Sequence, residues 1–177
     1  MKIKEISAKF NINGNTFEMF VKKNNLPYSE DFFMRDMTID DNVVLDYVQK
    51  YQEALAEMLI TSGFSFEGYT ITKYSGYISG DDAISVDRGL AVFGTTGVDV
   101  KDKLMESLVI IRKNALRELK EAAYELGCNA VIGVDFDYLT LDPQTANLRG
   151  GTTYQPYIFG VTANGNAVVI EKNKIEE

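Results

Sequence analysis

The chain has 177 residues, 45% of them hydrophobic and 25% charged, with a formal net charge of −8. That is enough apolar material for one or two small cores, and no apolar run approaches the ~20 residues of a membrane span. There is no histidine and a single cysteine, Cys128. This excludes Ser-His and Cys-His nucleophile pairs within the chain, and zinc sites built from four Cys/His ligands.

The acidity is shared along the chain. Residues 1–57 carry seven basic and ten acidic groups, and the remainder eleven and sixteen. Neither part has a basic excess to neutralise phosphates, so charge disfavours nucleic acid as a partner. The start, MKIKEISAKF, lacks the apolar core and small-residue cleavage site of a signal peptide. One cysteine cannot form an internal disulfide, which fits a reducing compartment. The expectation is a cytoplasmic protein with no membrane partner.

In chain order, IKEISAKF reads as a short helix with Ile3, Ile6 and Phe10 at helical spacing. NINGN is a turn, and NTFEMFVKK is a second helix with Phe17, Phe20 and Val21 inward and Asn15 or Thr16 as its cap. LPYSEDFFMRDM is a wing-like or looped segment, because Pro27 cannot continue a helix. Asp40 or Asp41 then caps a third helix with Val44, Tyr47, Val48, Tyr51 and Leu55 on one stripe.

ITSGFSFEGYTITKYSGYISGDD reads as two strands, with turns at Gly63 and Gly68. VDRGLAVFGTTGVDVKDK is less regular and reads as a loop. A long helix over Asp102–Leu126 follows, with Leu104, Leu108, Ile111, Ala115, Leu119, Ala122 and Leu126 on one face. Gly127 stands where a helix end wants positive φ, and Asn129–Leu141 is a strand with Asp135 and Asp137 on one face. After the polar stretch DPQTANLRGGTTYQP, the segment YIFGVTANGNAVVIEK reads as a hairpin about an Asn164-Gly165 turn.

These elements give a small helical module followed by a domain that mixes strands with one long helix. The expected division is 1–57 for the module with its connecting helix, 58–172 for the mixed domain and 173–177 for a charged tail.

Two resemblances sharpen this. The first third is similar in pattern to a helix-turn-helix module of the MerR or excisionase type. That resemblance implies that the second helix enters a DNA groove, with Asn15, Thr16, Lys22 and Lys23 as nucleic-acid-binding residues. The second is larger. LITSGFSFEGYTITKYSGYISGDD, LRELKEAAYELGCNAVIGVDFDY and VTANGNAVVI together resemble, over about residues 59–170, the YbjQ-like family, labelled heavy-metal-binding. The resemblance implies an α+β, dodecin-like subunit fold with an antiparallel sheet packed by the long helix, preceded here by the small helical module. It also implies a homo-oligomer in the form of a pentameric ring, and no established enzymatic activity.

Carried over motif by motif, the family's SG-acidic step falls on Ser79, Gly80 and Asp81, and its D-x-D-Y strand end on Asp135, Asp137 and Tyr138. Gly80, Asp81 and Tyr138 are therefore ligand-binding candidates. Where the family commonly has a glutamate next, this chain has Leu139. AVFGTTGVDVKDK replaces the family's glycine-rich, arginine-containing loop, and the insertion Asp142–Pro156 is longer than usual. Both departures fall in loops, where binding groups concentrate.

Asp135 and Asp137 are candidates for a hard divalent cation, which prefers oxygen ligands. The bland alternative is an exposed strand end. Cys128 reads as a partly buried small hydrophobe rather than a soft-metal ligand. Arg117 and Glu121, four apart, read as an ion pair on a solvated helix face. No catalytic residue and no required cofactor emerge. The expected function is a non-enzymatic, ring-forming oligomer whose N-terminal module contacts a partner or ligand. The alternatives are a DNA-binding regulator and a divalent-metal-binding ring.

Overall fold

The computed structural model describes residues 1–30, 36–86, 98–141, 146–148, 151–153 and 157–174. Side chains of 98–103, 146–148 and 151–153, and of Val86, are outside that description. So are the central residues of the wing-like segment, most of the irregular stretch before the long helix, much of the polar insertion including Tyr154, and the end of the tail.

The first third folds as α1 (Ile3–Phe10), α2 (Gly14–Lys23), a short antiparallel ribbon of β1 (Ser29–Glu30) and β2 (Met37–Thr38), and α3 (Val44–Glu57). The helices bury the stripes that their spacing predicts. Ile6, then Phe17, Phe20 and Val21, then Val44, Tyr47, Val48, Tyr51 and Leu55 close one core. Tyr51 stands edge-on to both Phe17 and Phe20, with ring centroids 5.4 and 5.5 Å away.

The caps differ from expectation. Helix α2 starts one residue earlier than Asn15, and Asn13 is its cap: its Oδ1 accepts from the Asn15 and Thr16 amides at 2.9 and 3.2 Å. Asp40 accepts from the Asn42 amide in a turn, and α3 begins after Val43 with no side-chain cap. Asn13→Ala is expected to lower stability by about 1 kcal/mol, measured as a drop in the urea midpoint; an unchanged midpoint would deny the cap its role.

The second part is a four-stranded mixed sheet in the order β3-β5-β8-β4. Strand β3 (Leu59–Ile60) lies parallel to β5 (Ala130–Leu141) at one edge. The central strand β8 (Tyr157–Lys172) is antiparallel to both β5 and β4 (Tyr69–Val86). The long helix α4 (Val98–Glu125) carries the chain from β4 across β8 to β5. Strands β6 (Ala146–Leu148) and β7 (Gly151–Thr153) pair with each other. The fold is thus α+β with one long helix over the sheet, and antiparallel except at the short β3 edge.

The Asn164-Gly165 hairpin does not form. The segment is one continuous strand because it has a long partner on each side: Asn164 pairs with Ser79 of β4 and Asp135 of β5, and Gly165 with Ile78 of β4. Gly165 serves close packing instead of a turn, since a Cβ there would lie 2.6 Å from Val131 Cγ1. The two strands expected on either side of Gly63 and Gly68 are β3 and β4, and β4 is kinked by bulges near Thr72 and Ser75.

Small residues let α4 approach the sheet. Ile111, Ala115, Leu119 and Ala123 are buried against Ile78, Val131, Val161, Ala163 and Ala167. A Cβ on Gly80 would lie 2.3 Å from both the Ala115 carbonyl oxygen and the Leu119 nitrogen. Leu126 is exposed and Ala123 takes the last inward place, because α4 ends at Glu125 and Gly127 turns the chain with φ +71°.

Candidate functional site

Three of the carboxylates singled out in the sequence share the sheet face opposite α4. Alternation along β5 and β4 puts Asp135, Asp137 and Asp81 there. Register sets them in two rows across three strands: Asp81, Thr162, Asp137, and beside it Ser79, Asn164, Asp135. The rows are cross-linked. Thr162 Oγ1 donates to Asp81 Oδ1, Asn164 Nδ2 donates to Asp137 Oδ2 at 2.7 Å, and the Phe136 amide donates to Asp135 Oδ1 at 2.8 Å. The result is an exposed polar patch on an open sheet face.

The other two ligand-binding candidates lie apart from it. Gly80 is buried beneath α4, where its lack of a side chain admits the helix backbone. Tyr138 is on the α4 side of β5, with the Arg112 guanidinium 5.3 Å from its ring centroid. Asp82 also faces α4 and accepts from Asn114 Nδ2 at 2.7 Å.

The helix-turn-helix candidates are engaged within the fold. Thr16 is buried and its hydroxyl donates to Glu125 Oε1 of α4. Lys22 pairs with Glu18 at 2.6 Å. Lys23 stands 4.7 Å over the Tyr124 ring. Asn15 is exposed.

The junction between the N-terminal helices and α4 is the place that sequence reasoning missed. Glu121 is not on a solvated face; it is 2% exposed. The reason is that α2 and α3 pack on the side of α4 turned away from the sheet. Tyr51 Oη donates to Glu121 Oε1 at 2.7 Å, and the Asn13 amide approaches the same oxygen at 3.5 Å. Burial pushes the Glu121 carboxyl above the ordinary carboxylate range, against the opposing pulls of the Tyr51 hydroxyl and the Arg117 charge. Burial and the facing Glu121 likewise push the Tyr51 phenol well up. The signal in the sequence was Tyr51 itself: a tyrosine on a buried stripe needs a partner for its hydroxyl.

Two cations tie the same junction. Arg117 Nη1 donates to the Asn11 carbonyl at 2.8 Å, and Lys120 Nζ to the Leu55 carbonyl at 2.9 Å. Burial lowers the Lys120 ammonium from its ordinary value. Chemically, this is a docking seam with one buried acid.

Comparison with known proteins bears on the second part of the chain. The YbjQ family model, described as "Putative heavy-metal-binding", matches residues 58–171. A UPF0145 protein of Acetivibrio thermocellus is 36% identical over 121 residues, covering 64% of this chain and all of the relative. One from Clostridium kluyveri is 36% identical over 117 residues with the same coverage, and one from Listeria monocytogenes 33% over 121 residues, covering 96% of that protein. A crystal structure of a protein of unknown function of the DUF74 family from Pediococcus pentosaceus aligns with a TM-score of 0.40 and 18% identity, covering 64% of this chain and 98% of that one.

The family description can be set against the donors present. Soft heavy metals take thiolate and imidazole ligands; this chain offers Cys128, buried behind the α4 end, and no histidine. Among the described residues no three His, Cys, Asp or Glu side chains gather as a metal cluster. The donor set of a single chain therefore does not fit a soft heavy metal. In sequence, the match over residues 58–171 is extensive, and the chain belongs to the YbjQ family.

Proposed function

We infer that the chain is the subunit of a homo-oligomer without enzymatic activity, a pentameric ring in the reading the family resemblance favours, and that its N-terminal module is a contact element on that assembly. The observation that carries the first half is apolar surface left uncovered on the family domain. On α4, Met105, Val109 and Ile110 are each about half exposed, at 55, 47 and 54%. On the open sheet face Leu139, Leu141 and Ile158 are exposed as well. These two patches lie on different sides of the subunit. Contact between unlike patches is heterologous, and heterologous contacts close into rings when the rotation allows.

Strand β4 supports the same reading. Among the described residues it is paired on one side only, along 18 residues. A long open edge of that kind is a template for another chain.

The module reads as a contact element rather than a DNA reader. Its second helix spends Thr16 and Lys23 on α4 and Lys22 on Glu18. The non-enzymatic reading rests on the exposed carboxylates, which are hydrogen-bonded to their own sheet neighbours on an open face.

The test is the solution mass of the full chain by light scattering, beside Val109→Asp. A mass of several protomers of 19.8 kDa is expected for the natural sequence. Val109→Asp is expected to shift it strongly toward the single chain, because the interface would bury an unpaired charge. A single-chain mass for the natural sequence would overturn the reading.

A further inference from the structure

We propose that the junction between the N-terminal module and α4 is a binding site for a small amphipathic carboxylate, a molecule with an apolar body and one anionic head. This deepens the reading of the module as a contact element and rests on it. The junction holds a groove of about 390 Å³, within the range of small-molecule sites. Its apolar lining comes from both parts of the chain: Phe10, Ile12 and Leu55 from the module, and Ile60 and Leu116 from the family domain.

The charged lining is all of one sign. Lys113, Arg117 and Lys120 stand at spacings of four and three on one side of α4, and among the described residues no aspartate or glutamate lines the groove. In a chain of net charge −8 this is a local inversion. The neighbouring groove differs: there Lys23 is accompanied by Glu57.

None of the three cations is satisfied by a carboxylate in the groove. Arg117 and Lys120 spend their donors on the Asn11 and Leu55 carbonyls. Arg117 Nε is buried with no partner, and Lys113 is exposed and makes no salt bridge among the described residues. Glu121 faces Arg117 electrostatically but is not part of the lining. A partly desolvated set of cations beside an apolar floor recognises an anion with a hydrophobic body: the head gains charge-assisted hydrogen bonds, and the body covers exposed apolar surface.

Decanoate is the probe, titrated into the full chain by calorimetry below its micellar concentration, with decanol as the uncharged comparison. Saturable binding at one decanoate per chain is expected, at least about tenfold tighter than decanol, the scale of one charge-assisted hydrogen bond. Lys113→Met and Lys120→Met keep the apolar stems and remove the charges. Each is expected to weaken decanoate about tenfold while leaving decanol unchanged. Lys113 is exposed, so that variant carries little risk to folding. Equal binding of decanol and decanoate, no saturable binding, or decanoate affinity unmoved in both variants would overturn the proposal. The assembly reading fails separately: a single-chain mass with decanoate still bound would remove the ring and leave this site standing.

Discussion

Gly80→Ala is expected to destabilise the protein by about 3 kcal/mol or more, at the upper end of what overpacking costs. The added methyl would lie 2.3 Å from the Ala115 carbonyl oxygen and from the Leu119 nitrogen, and 2.8 Å from Glu118 Cβ. Two of those neighbours are backbone atoms of α4 and cannot step aside by changing rotamer. The helix itself has to lift, and Ala115 and Leu119, both fully buried, lift with it. Densely packed interiors give little to such a displacement. Gly160→Ala is the comparison, because its methyl would meet Leu139 Cβ at an ordinary 3.7 Å. It is expected to cost less than about 1 kcal/mol. Urea melts at matched protein concentration measure both, matching being needed because assembly shifts apparent stability. Gly80→Ala melting within the error of the natural sequence would mean that the helix does not sit on this glycine.

The same glycine shows where sequence reading was strong and where it was blind. Helical periodicity marked α1, α2, α3 and α4 because each buries one stripe, and the stripe is written every three or four residues. Strand β5 was legible as an apolar run after a helix-ending glycine. Gly80, by contrast, read as part of a ligand-binding step. Its role is set by Ala115 and Leu119 of α4, far along the sequence, and a local pattern carries no record of so distant a contact. Asn164-Gly165 read as a turn for the same reason: only the two partner strands, neither adjacent in sequence, hold that dipeptide extended.

Of the site candidates, Asp81, Asp135 and Asp137 do share a sheet face, but their rows are fixed by β8, which lies between them. The basic groove was invisible because Lys113, Arg117 and Lys120 look like solvated helix charges until the module is laid against them. Glu121 was misjudged on the same logic.

Removing the Glu121 charge is expected to raise stability at neutral pH relative to acid pH. The folded-state carboxyl is held above its ordinary value, chiefly by burial. Below the unfolded pKa, about 4.3, the group is protonated in both states and makes no difference. Between that value and the raised folded value the native chain binds the proton more tightly than the unfolded chain, so stability falls as pH rises. Above the folded value the penalty is complete, and each tenfold difference in proton affinity between the two states costs about 1.4 kcal/mol. Glu121→Gln keeps an acceptor for the Tyr51 hydroxyl and cannot ionise. Its stability minus that of the natural sequence should therefore climb with pH through this window and then level off. Glu121→Ala behaves differently: it removes the acceptor of the Tyr51 hydroxyl, on a residue only 1% exposed, and should cost about 1–3 kcal/mol for the lost partner plus the cavity left behind. Urea midpoints of the three proteins from about pH 4 to 8, the span that brackets the unfolded value, read both effects. Parallel profiles for the natural sequence and Glu121→Gln would mean that the carboxyl titrates as it does in the unfolded chain, and that the seam carries no buried charge.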